Sequence, residues 1–152
     1  MNPARIFIDN PTPYAYRSSF LTNRYTAPLS RYLEAEHDLL WHEWVVVFCL
    51  AQEDGWSAKD ISEATSRPKN TISRAVHKLL RLKLISRHAH PDDARMQVLS
   101  LTAAGRRFYD TTLPQLNAVE ESIYGVLDGD ERKQFLRLLD KLVTHALAAE
   151  AA

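Results

Sequence analysis

The sequence predicts a mainly α-helical chain carrying one small β-hairpin, on three observations. Helical spacing of apolar residues dominates both ends of the chain. Between Ser57 and Leu82 two short helical patterns meet at a tight turn. Immediately after them, Leu84–His88 and Met96–Leu101 are short β-prone runs separated by a turn-rich segment containing Pro91, Asp92 and Asp93.

Residues 1–12, with Pro3 and Pro11, read as a flexible N-terminal arm, and 13–152 as a single domain. From about 14 to 36, Tyr16, Phe20, Leu21, Tyr25, Leu29 and Tyr32 recur at helical spacing. Pro28 lies inside that pattern and predicts a kink or a broken helix. Leu39–Glu53 is apolar on most sides and predicts a buried helix, closed by Gly55 in the left-handed conformation. Ser57 and Asp60 have capping-box spacing ahead of a short helix, Ala58–Ala64. Pro68 then opens a second helix, whose inward stripe is Ile72, Val76, Leu79 and Leu80. The hairpin turn is expected over Ala89–Arg95. Thr102 caps a long helix to about Leu127, bent near Pro114. Asp128 to Glu131 restart the chain into a terminal helix with a leucine-rich face.

The formal net charge is zero, yet residues 57–109 hold eleven Lys/Arg against four acids, a net of +7 that leaves −7 on the flanks. A localised basic surface attracts phosphate while acidic flanks limit non-specific association. The single cysteine, Cys49, excludes an intramolecular disulfide and a cysteine-based zinc site, and its apolar surroundings make it a structural thiol. The six histidines show no metal-ligand motif, so neither metal nor cofactor is expected. No paired carboxylates, nucleophile–base pair or phosphate loop marks an enzyme. No apolar run reaches membrane length and no secretion signal opens the chain, so no membrane partner is expected and the chain reads as cytoplasmic.

Helix, tight turn, helix and hairpin, in that order, make a winged helix-turn-helix. Its second helix can enter a major groove. The residues that would meet double-stranded DNA are Ser66, Lys69, Asn70, Thr71, Ser73, Arg74 and Lys78. Asn and Arg can contact bases bidentately, whereas Lys, Ser and Thr suit phosphates. Arg95 at the hairpin tip would lie where a narrow minor groove focuses negative potential.

The segments Asn70–Val76, Leu84–Arg87, Asp93–Arg95 and Val98–Gly105 resemble the MarR family of transcriptional regulators, over about residues 30–147. The resemblance implies a DNA-binding lobe at about 40–101, flanked by N- and C-terminal dimerisation helices at about 14–36 and 103–148. It implies a homodimer on a palindromic operator, often released by a small anionic or aromatic ligand. It places Asp93 and Arg95 on the family's wing pair, with the carboxylate orienting the arginine. Where the family usually has glycine before the first strand, this chain has Lys83. A left-handed lysine would cost about 1 kcal/mol over glycine, which predicts another form of turn. Arg17, Phe20, Tyr25, Trp41, His42 and Trp44 are candidates to line a ligand cleft, since aromatic walls with a few polar groups suit an aromatic carboxylate. The alternative is a winged-helix protein-interaction module with neither ligand response nor specific DNA binding.

Overall fold

The computed structural model describes residues 3–8, 10–90 and 92–150. Residues 1, 2 and 9 of the predicted arm and Pro91 of the predicted turn lie outside the described residues, as do 151 and 152. Six α-helices and one antiparallel hairpin follow in the order α1 (Pro13–His37), α2 (Trp41–Gln52), α3 (Ala58–Ala64), α4 (Lys69–Arg81), β1 (Ile85–His90), β2 (Asp93–Leu101), α5 (Ala103–Tyr124) and α6 (Gly129–Glu150). None of these helices is long and apolar enough to cross a membrane.

Pro3–Phe7 forms a 3-10 helix, a short element absent from the sequence reading. The Phe7 ring meets Tyr16 and Phe20 edge-on, at 5.4 and 5.2 Å between centroids. Arg17 Nη2 donates to the Phe7 carbonyl at 2.8 Å. Of the kink or break expected at Pro28, the break does not occur: α1 runs through Pro28 as one helix. Proline there forfeits a backbone hydrogen bond, a loss of about 3 kcal/mol. Complete burial of the neighbouring Leu29 and Leu33 side chains offsets it. α5 likewise continues through Pro114 and ends at Tyr124, three residues short of the expected Leu127.

The core gathers around α2, whose Trp44, Val45, Val46, Val47, Cys49 and Leu50 are all buried. Against it pack α4, through Ile72, Ala75, Val76 and Leu79, and α5, through Tyr109 and Leu116. Trp44 Nε1 donates to Thr112 Oγ1 at 2.9 Å, so the one polar atom of this buried indole is satisfied.

Three local devices set the helix-turn-helix and the hairpin. Ser57 and Asp60 form the predicted reciprocal cap, Ser57 N–H donating to Asp60 Oδ2 at 2.8 Å and Asp60 N–H to Ser57 Oγ at 3.2 Å. At the end of α4, Lys83 does adopt φ +58, against the expectation of another turn. Its N–H donates to Leu80 O and that of Leu84 to Leu79 O, both at 3.0 Å. This is the Schellman pattern, which requires a left-handed residue whatever its side chain. Thr102 then ties the turn to α5, its hydroxyl donating to Lys83 O at 2.7 Å and accepting from Gly105 N–H at 3.0 Å. A Cβ on Gly105 would lie 1.9 Å from Leu84 O, so this close crossing of α5 over the turn demands glycine.

The strands extend further than expected. Pairing runs from Ile85 opposite Leu101 to His90 opposite Asp93, with a bulge at Ala89/His90, so residues 89–90 and 93–95 of the predicted turn belong to the strands. A second pairing was not legible: Gly55 N–H donates to Leu99 O at 3.0 Å and Leu99 N–H to Trp56 O at 2.9 Å. The loop after α2 thereby covers the outer edge of β2, which removes an exposed strand edge.

α6 stands apart from this core. Leu136, Leu142, Val143 and Leu147 are each more than half exposed. It meets α5 mainly at its start, where Arg132 makes a two-pronged contact to Glu121 at 2.8 and 3.0 Å and Phe135 lies beside Tyr124. Glu121 holds the guanidinium pKa above its ordinary value, and Arg132 holds the carboxyl below its own.

Candidate nucleic-acid interface and the cleft beside it

The outer face of α4 is polar and free. Lys69, Asn70, Ser73 and Arg74 are exposed, Thr71 is half-buried, and no hydrogen bond or ion pair engages these side chains among the described residues. The inward stripe at 72, 75, 76 and 79 holds the helix against α2 and leaves the intervening positions projecting outward. Ser66 is exposed just before the helix at φ +48, in the turn that aims α4 away from α3.

Lys78 does not join them. Its ammonium lies 3.3 Å from Glu43 Oε2 and donates to the Asp38 carbonyl. Glu43 is buried and also accepts from Leu40 N–H at the start of α2. A carboxylate taken out of water needs a cation, and Lys78 is the one within reach. The wing pair also differs from the expectation. Asp93 Oδ1 accepts from the Arg95 backbone N–H at 3.0 Å, a turn-type contact that holds the main chain, with no ion pair to the guanidinium. The Arg95 side chain is exposed at the wing and makes no hydrogen bond or ion pair among the described residues.

Between α1, α2, α5 and the α3–α4 turn lies a cleft of about 510 Å³. It brings together Tyr25, Trp41 and Trp44 from the predicted ligand set. Tyr25 meets Trp41 edge-on at 5.9 Å, and Trp41 stacks on Trp44 at 5.5 Å and 13°. Burial, then the charge of Glu120, pushes the Tyr25 phenol up. Arg17 and Phe20 are elsewhere. Arg17 serves the Pro13 and Phe7 carbonyls, and Phe20 lines a separate groove between α1 and α5. His42 sits beside the cleft rather than on its wall, with Nδ1 buried and unpartnered. Burial, then the charge of Arg67, pushes its pKa down. Cys49 is on the wall but buried, and burial pushes its thiol up. Among the described residues no group of His, Cys, Asp or Glu side chains is arranged to hold a metal ion.

A model of the MarR family matches residues 39–96, which span α2, the helix-turn-helix and the start of the second strand. Over those residues, somewhat more than a third of the chain, the sequence is similar to that family. It is 26% identical over 129 residues to the HTH-type transcriptional regulator BilQ of Clostridium symbiosum, covering 85% of this chain and 89% of that one. A MarR-family regulator from Silicibacter pomeroyi has a similar structure, with a TM-score of 0.80, 25% identity, and coverage of 95% and 96% of the two chains. BpsR of Bordetella bronchiseptica, whose DNA binding is regulated by 6-hydroxynicotinic acid, superposes with a TM-score of 0.73 at 23% identity, over 86% of this chain and 92% of that one. MarR-family members are transcriptional regulators rather than enzymes.

The sequence reading gave Arg67 no role of its own. Arg67 lines the cleft from the α3–α4 turn, and its Nε is buried without a hydrogen-bond partner. In sequence it was one basic residue among eleven; only the fold turns it inward.

Proposed function

We propose that this protein is a homodimeric MarR-family repressor that holds a palindromic operator and releases it when a small aromatic anion occupies the cleft. The observation that carries the reading is the free polar face of α4, Lys69, Asn70, Ser73 and Arg74, on a helix whose other face is locked into the core. An exposed N-terminal turn bearing Asn and Arg has the donors needed to read base edges, and Lys69 can neutralise a phosphate. The wing adds the exposed Arg95.

Dimerisation is supported by α6. An apolar helix face with Leu136, Leu142, Val143 and Leu147 left in water is unstable unless something covers it. A two-fold pair would also set two α4 helices about one DNA turn apart, roughly 34 Å. The ligand reading is supported by the aromatic cleft, which touches α1 and α5 on one side and the turn feeding α4 on the other. A molecule that favours one relative placement of these elements shifts the spacing of the two recognition helices. The 6-hydroxynicotinic acid that regulates BpsR is of the chemical class such a cleft suits. This activity belongs in the cytoplasm, where operator DNA is found.

An electrophoretic mobility shift with the DNA upstream of the protein's own gene tests the proposal. A salt-sensitive, sequence-dependent shift at micromolar dimer, reversed by an aromatic acid, is the expected result. Binding without sequence preference would sink it.

A further inference from the structure

The cleft wall carries two charged side chains, Arg67 and Glu120, amid aromatic and aliphatic neighbours. They come from different elements, and no ion pair joins them among the described residues. Arg67 Nε is shut off from solvent with no acceptor, although a guanidinium has donors only. Burying a charged donor without a partner is costly, which makes Arg67 Nε a ready donor for an acceptor that enters the cleft. His42 Nδ1, buried and unpartnered, is close enough that the Arg67 charge depresses its basicity.

The backbone of Arg67 is as constrained as its side chain is free. Ser62 Oγ donates to the Arg67 carbonyl at 2.6 Å, and Arg67 N–H donates to the Ser62 carbonyl at 3.1 Å. The preceding residue, Ser66, is at φ +48, and α4 begins two residues later, at Lys69. A pull on the guanidinium therefore acts on the peptide units that aim the recognition helix.

We infer that Arg67 is the residue that reads the effector's anionic group, and that its position in the α3–α4 turn transmits binding to α4. This rests on the effector cleft proposed above and names its specificity determinant. The carboxylate of a planar aromatic acid accepts from Arg67 while the ring lies against Trp41 and Trp44. Glu120 repels a second negative charge, so the cleft selects a monoanion over an aromatic dicarboxylate.

The test titrates the full-length protein with benzoate, 2-naphthoate and their uncharged amides, following tryptophan fluorescence. It uses the wild type, Arg67→Gln and Arg67→Lys, after circular dichroism confirms that each is folded. A charge-assisted hydrogen bond supports a preference of at least roughly tenfold for acid over amide in the wild type. Arg67→Gln should erase that preference, Arg67→Lys should restore part of it, and only the wild type and Arg67→Lys should lose operator DNA on addition of the acid. Acid preference undiminished in Arg67→Gln overturns the assignment while leaving the cleft intact. If neither acids nor amides bind the wild type, the cleft reading itself fails and the assignment with it.

Discussion

Lys78 Nζ lies 3.3 Å from Glu43 Oε2, so α4 is fastened by charge to the first turn of α2. The side chains are 23% and 7% exposed, which makes this a half-buried pair rather than a surface contact. Lys78 also donates to the Asp38 carbonyl, joining α1, α2 and α4 at one corner. That corner lies in the same chain segment that begins the cleft wall at Trp41, so orientation of α4 and occupancy of the cleft are mechanically neighbouring events.

Lys78→Met should therefore lower stability and leave DNA electrostatics alone. Removing one partner of a buried pair costs 3–5 kcal/mol, and partial exposure reduces this to roughly 2 kcal/mol. Urea unfolding at fixed protein concentration reads the loss. A phosphate-contacting lysine would instead reduce the salt slope of operator binding by about 1 with stability unchanged, and that pattern would overturn the structural assignment.

Lys83→Gly should stabilise the protein. The lysine holds φ +58, a conformation that costs a non-glycine residue about 1 kcal/mol, while Lys83 enters the turn's hydrogen bonds only through backbone atoms that glycine keeps. The urea midpoint should rise with an unchanged slope. A fall would mean that the lysine side chain contributes more than its backbone strain removes.

These two positions show what the sequence could and could not tell. Caps and stripes are local, so Ser57 with Asp60, the cap at Thr102, and the buried face of α4 were readable from spacing. The partner of Lys78 lies 35 positions earlier in the chain, and nothing in a run of basic residues separates an ammonium facing DNA from one facing Glu43. Arg17 lies eight residues before Tyr25 on α1, about 12 Å along the axis, and Phe20 lies five residues before it, about 140° round the helix, so they face other surroundings. Arg67 was passed over for the opposite reason: its neighbours in sequence are solvent-facing, and only the turn between α3 and α4 directs it inward.

Arg74→Ala and Lys69→Ala should weaken operator binding in different ways. A base-reading arginine loses about 1–3 kcal/mol and relaxes preference at one position of the site, whereas a phosphate-contacting lysine weakens all sequences alike and reduces the salt slope by about 1. Anisotropy titrations on the operator and on single-position variants, at two salt concentrations, separate the cases. Identical behaviour of the two variants would contradict the division of labour along α4.

Leu142→Asp should yield a monomer. The residue is 65% exposed on the α6 face and makes no core contact within its own chain, so the fold of residues 13–124 should survive the charge. Analytical ultracentrifugation reads the outcome directly. A variant that still sediments as a dimer would place the interface on another face.

The central claim is that two copies of α4 are held at a fixed spacing on one operator, and DNase I footprinting with stoichiometric titration tests it most directly. The account predicts one continuous footprint over two inverted half-sites with centres about one helical turn apart, saturating at two chains per site. Protection of a single half-site saturating at one chain would contradict it.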